Sequence, residues 1–160
     1  MTYPLSEPDP PAQFKPADSP GEVILVIHGG HHPSIATESY GIKPGSRGTV
    51  VMLTGRQAGM VIDDVVLFGR QSSQFKDKAG GDVVLCRIVK DGKKITYEPG
   101  SEYDKKVAQH WIDANGDALE DLRVAAVRNF HEQCERVEEG LRNGGRHNAT
   151  ETTAEPWPSS

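Results

Sequence analysis

This chain has little of what a catalytic or membrane protein needs. Its two cysteines, Cys86 and Cys134, are too few and too far apart for a disulfide framework. One falls in an apolar strand-like run and the other on an apolar helical stripe, so both are expected as buried thiols in a reducing cytoplasm. No apolar run approaches the length of a bilayer span, and the N-terminus lacks the basic-then-apolar layout of a signal peptide, so no membrane partner is expected. There is no P-loop, no dinucleotide fingerprint, no Cys-x-x-Cys and no His-Glu-x-x-His. No cofactor is therefore expected. A basic excess is missing too: the formal net charge of −5 argues against coating nucleic acid by bulk electrostatics.

Three local patterns resemble chemistry and fall short of it. Val26-Ile27-His28-Gly29-Gly30 after an apolar run looks like the oxyanion loop of an α/β-hydrolase. That fold also needs a serine in a Gly-x-Ser-x-Gly elbow, and Pro44-Gly45-Ser46-Arg47-Gly48 has proline where the first glycine belongs. His28, His31 and His32 could set two imidazoles on one ion, but the further ligands of a metal site do not accompany them. Asp63 and Asp64 are neighbours in a strand pattern, which predicts opposite faces and poor geometry for an acid pair. No catalytic constellation remains, and the chain reads as a binding protein.

The two ends differ from the middle. Residues 1–20 carry six prolines (4, 8, 10, 11, 16 and 20), which suits an extended arm. Residues 143–160 are polar and Gly-containing and predict a disordered tail. Within the tail, Glu155 and Trp157 stand out, because a lone indole with no core to join can serve as a hook for a partner's pocket.

Between the ends, short β-branched runs alternate with turn signals. Glu22 to Ile27, Thr49 to Thr54, Met60 to Phe68, Asp82 to Val89 and Lys93 to Tyr97 read as five strands. His31 to Gly48 reads as a long loop, Gly55 to Gly59 as a hairpin connection, and Asp91-Gly92 as a tight turn. Ser72 to Lys78 allows a small helix with Phe75 turned inward. Strands in this number, with a helix between the third and fourth, follow the order of an OB barrel, although another small barrel or a sandwich fits as well. The expected fold is mainly β with C-terminal α: a five-stranded OB-like barrel over residues 21–100 and a helical extension over 101–142. In that extension Ser101 and Asp104 read as a helix start, Asn115-Gly116 as a stop, and Leu119 to Leu141 as one long amphipathic helix.

The charges are unevenly placed. Arg70, Lys76, Lys78, Arg87, Lys90, Lys93 and Lys94 crowd the middle, while acids gather in the arm and along Asp113 to Glu139. Single-strand binding needs cations that follow phosphates and flat rings for bases, at roughly 1–3 kcal/mol per stacked base. Arg56, Arg70, Lys76, Arg87, Lys90, Lys93, Lys94 and Tyr97 are the candidates. Phe68 and Phe75 could stack too, or could simply be core.

The segments Glu22 to Ile27, Val50 to Gly59, Asp64 to Phe68, Gly81 to Ile88 and Ser101 to Trp111 occur in an order that resembles small proteins of actinobacterial phages and prophages described as single-stranded-DNA-binding. The resemblance covers about the middle 90 residues. It implies an OB-like fold and single-stranded DNA as partner, in replication or recombination, with an acidic tail that recruits replication or repair proteins. Three departures stand out. Cys86-Arg87-Ile88 replaces a Gly-Arg-Leu segment, Lys93-Lys94-Ile95-Thr96-Tyr97 stands where a stretch with proline and tryptophan is usual, and the helix after Asp117 has no counterpart. A second expectation is a phage structural or assembly protein that forms a homo-oligomer through that helix.

Overall fold

The computed structural model describes residues 4–8, 14–37, 41–68 and 70–151, without the side chains of 34–37, 41–43, 68, 70 and 141–151. Five strands form one antiparallel sheet: β1 (Val23–Thr37), β2 (Gly41–Met52), β3 (Val61–Phe68), β4 (Val83–Asp91) and β5 (Lys94–Pro99). Their order is β3-β2-β1-β4-β5, so the central strand pairs with both β2 and β4. A single turn of helix, α1 (Arg70–Ser73), lies between β3 and β4, and a long helix, α2 (Glu102–Glu151), ends the described chain.

The centre of the sheet follows from the run Val23-Ile24-Leu25-Val26-Ile27, each at most 2 % exposed. A strand apolar at every position must be covered on both faces. On one face Ile24 and Val26 join Val50, Met52, Ile62, Ile88, Ile95, Tyr97 and Phe75 in an inner cluster. On the other, Leu25 and Ile27 join Val51 and the helix residues Ala108, Leu119 and Ala126. Alternation along one strand thus feeds two cores. No pairing between β3 and β5 occurs among the described residues. That seam is instead bridged from the segment after α1, where the Gln74 amide accepts from the Tyr97 backbone N–H (2.9 Å) and donates to its carbonyl (2.6 Å).

The expected loop from His31 to Gly48 is wrong. β1 and β2 continue as a long hairpin, paired from His28–Gly48 out to Thr37–Gly41. Its glycines and prolines hide a ladder that needs only backbone groups. Pro33 and Pro44 both fall in the irregular stretch between the His32–Gly45 and Ile35–Lys43 pairs, where a missing N–H costs no ladder bond. The glycines there serve close packing. A Cβ on Gly29 would lie 2.6 Å from the Ala126 carbonyl oxygen, and one on Gly48 would lie 2.4 Å from that of Ile27.

Other boundaries also move. The expected helix break at Asn115 is present: its backbone is non-helical (φ −132°, ψ 28°), and its amide donates to the Trp111 carbonyl. Two helical segments meet there at a kink within α2, the second running to Glu151. The helix therefore extends past residue 142 into the stretch expected to be disordered, and the rest of the tail, Glu155 and Trp157 included, lies outside the described residues. The arm is partly docked: Phe14 packs against the inner cluster, Pro16–Asp18 forms a 3-10 turn, and the Gly21 N–H donates to the Ile88 carbonyl. Cys86 and Cys134 are buried free thiols, and burial pushes the Cys86 thiol up to about 12. Among the described residues no helix is long and apolar enough to cross a membrane.

Candidate nucleic-acid interface

The strand register decides where the cations go. Ile24 pairs with Met52 and Val23 with Arg87, so the β2–β3 turn and the β4–β5 turn both project from the end of the sheet where β1 begins. Arg56 sits on the first turn and Lys93 on the second, while Lys90 and Lys94 lie on the strand ends that flank it, all four exposed. The arm lies at the same end, where Lys15, Asp18 and Glu22 line a cleft of about 400 Å³ with Thr54, Arg56 and Gln57. Glu22 is held there by the Thr54 hydroxyl, which donates to its carboxylate.

The other described candidates do not join them. Lys76 is exposed but belongs to the connection after α1, and its charge acts on His31 at the far end of the sheet. Arg87 is a structural residue: it donates two bonds to Asp104 (2.8 and 2.9 Å) and one to the Gly21 carbonyl (3.0 Å). Asp104 is 2 % exposed and also accepts from the Ser101 N–H. That backbone bond, followed by the Arg87 guanidinium, holds its carboxyl below the ordinary range. In return the Ser101 hydroxyl accepts from the Asp104 N–H, completing a reciprocal cap at the start of α2. The side chain of Arg70 lies outside the described residues.

Tyr97 cannot stack a base. It points inward from β5, 5 % exposed, and its hydroxyl donates to Gln71 at 2.7 Å while its ring meets Phe75 edge-on at 5.5 Å. Lys94 is solvated because alternate residues of an edge strand face opposite ways, and Lys93 because it lies in the turn before β5. Phe75 is likewise core, at 1 % exposure. Among the described residues, the candidate cations are thus separated in space from the rings of Tyr97 and Phe75, and no groove is lined by both.

Sequence reasoning also missed a buried polar chain. His28 and Ser46, 1 % and 0 % exposed, face each other across β1 and β2. His28 Nδ1 lies 3.3 Å from the Ala79 carbonyl, which can only accept, so Nε2 is left to accept from the Ser46 hydroxyl at 3.1 Å. Ser46 Oγ then accepts from His31 Nδ1, also at 3.1 Å. Burial keeps both imidazoles below their ordinary pKa, in the neutral form this chain requires. A fully buried hydroxyl is closed to substrate, so the pattern that resembles an oxyanion loop is a packing device. His32 turns instead to Glu138 on α2 (3.2 Å). Among the described residues no group of three or more His, Cys, Asp or Glu is placed to hold a metal ion.

The expectation for Asp63 and Asp64 also changes. A bulge, with Asp64 at φ 55°, interrupts the β2–β3 ladder, and both carboxylates turn to one side of β2. Asp63 accepts from Thr49 and Asp64 from Arg47. Each is engaged separately. No family model, no curated protein and no solved structure matches the chain.

Proposed function

We propose that the protein is a non-catalytic single-strand nucleic-acid-binding protein that meets phosphates with Arg56, Lys90, Lys93 and Lys94, at and beside the two hairpin turns. The observation behind this reading is that these four exposed cations project from one end of a five-stranded sheet whose strand and helix order is that of an OB barrel. The motif resemblance favours DNA, in replication or recombination in the cytoplasm of a bacterial host. With Tyr97 and Phe75 internal, binding rests on charge more than on stacking. It is therefore weak in sequence preference and steep in salt.

Anisotropy of a labelled single-stranded oligonucleotide at several salt concentrations tests this. Affinity is expected to fall steeply with salt. Lys90→Ala with Lys94→Ala should reduce the logarithmic slope by roughly 0.7 for each phosphate that is no longer neutralised. No binding at low salt, or a slope that both substitutions leave alone, removes the proposal. Trp111 packs between α2 and the sheet, so its fluorescence reports helix docking and cannot replace the label.

A second reading, a structural or assembly protein, is favoured by one observation: Val124 is 65 % exposed on α2, although Leu119, Leu122 and Phe130 of the same helix turn to the sheet.

A further inference from the structure

The sheet-facing stripe of α2 uses Leu119, Leu122, Ala126 and Phe130. Beside that stripe lies a groove of about 500 Å³, where Glu120, Val124 and Arg128 form one line along the helix at successive four-residue steps. Its far wall is the backbone of Gly80 and Gly81, and its floor is the half-buried Val127. An acid, an exposed apolar residue and a base, in that order on one ridge, is a self-complementary pattern. When two such ridges cross antiparallel about a two-fold axis at Val124, residue 124−n meets residue 124+n of the other copy. Glu120 then faces Arg128, Val124 faces Val124, and one turn further out Asp117 faces His131. Parallel pairing would oppose Glu120 to Glu120 and Arg128 to Arg128.

We propose that this groove is the seam of an antiparallel homodimer, with a second copy of the chain as its occupant. The seam gives the assembly reading a definite surface and does not depend on nucleic acid. An isologous contact needs one patch that complements itself, and this ridge does so in charge. Glu120 already accepts from Arg123 within its own helix (2.9 and 3.2 Å). A carboxylate has about four acceptor sites, so it can take a second guanidinium without giving up the first. The glycine wall leaves room for the partner's Val124, and Gly81 is fixed by donating to the His28 carbonyl while its own carbonyl accepts from Arg123.

Sedimentation equilibrium of the full chain without nucleic acid tests the proposal, with circular dichroism to confirm that each variant is folded. The wild type is expected to dimerise. Val124→Lys, Glu120→Arg and Arg128→Glu should each raise the dissociation constant by roughly tenfold or more, from a charge set in the apolar seam or from like-charge opposition. The double variant Glu120→Arg with Arg128→Glu recreates both pairs in the antiparallel arrangement and should regain wild-type association. A 1:1 mixture of the two single charge variants should also dimerise. A wild type that stays monomeric at its highest soluble concentration overturns the proposal. So do folded single variants that associate like the wild type, or a double variant no better than either single.

Discussion

The two faces of the central sheet are closed by different physical means. The inner face is filled by side-chain volume: Ile24, Val26, Val50, Met52 and Ile88 interlock with Phe75 and Tyr97, with only one turn of helix nearby. The outer face is closed by backbone approach. There α2 comes close enough that Gly29 admits no Cβ, and Gly30 lies under the Phe130 ring. Two polar ties flank that contact, Arg87 to Asp104 at the start of α2 and His32 to Glu138 farther along it. The inner face should therefore be sensitive to atoms removed and the outer face to atoms added.

The largest effect is expected on the inner face. Phe75→Ala deletes a fully buried ring, so urea unfolding should show a loss of about 3–5 kcal/mol, while Phe75→Leu keeps most of the volume and should cost far less. Equal costs for the two would break the volume argument. On the outer face the opposite change matters. Gly29→Ala adds one methyl 2.6 Å from the Ala126 carbonyl oxygen and 2.8 Å from that of Arg47, and neither backbone atom can turn away. The expected loss is about 1–3 kcal/mol by the overpacking rule, with reduced helical signal as α2 lifts. A neutral or stabilising Gly29→Ala would mean that the helix does not approach as closely as the contrast requires.

The same contrast explains what could be read from the sequence. Apolar side-chain packing leaves a pattern on either face: the unbroken Val23 to Ile27 run and the Leu119 to Cys134 stripe were legible, as was the Ser101–Asp104 cap, and with them the mainly-β architecture with its C-terminal helix. Packing made by backbone leaves glycine, which also marks loops. His28-Gly29-Gly30 and Gly45 to Gly48 therefore read as the edges of a loop when they are the middle of a hairpin. The candidate site suffered from a different ambiguity. A residue's neighbours in sequence say nothing of its partner across the fold, so Arg87 beside lysines did not disclose Asp104, and Tyr97 beside lysines did not disclose Gln71. Of the cations, sequence put only Arg56 inside a turn, between Gly55 and Gly59; Lys93, read as the start of the fifth strand, lies in the turn before it. The two carboxylates at the bulge were misjudged because a single left-handed residue, Asp64, resets the alternation that strand reasoning assumes.

The smallest expected effect separates the polar ties by pH. His28 and His31 have folded-state pKa values below the ordinary 6.5, chiefly through burial, so the unfolded chain takes up their protons first. Their contribution is complete above 6.5 and is lost as pH falls from there through the lowered folded values. Asp104 is also depressed, but from 3.8, so its contribution persists well into acid and is lost only as pH falls through its still lower folded value. Thermal unfolding should thus show a plateau above neutrality, a first decline on the acid side of 6.5 and a second below 3.8. His28→Gln should lower stability at pH 7.5 yet flatten the first decline, because no buried imidazole is left at that position to be protonated. Asp104→Asn should leave the first decline intact and weaken the second. If His28→Gln keeps the wild-type profile between pH 7 and 5, protonation of His28 does not govern that window, and the first decline rests on His31.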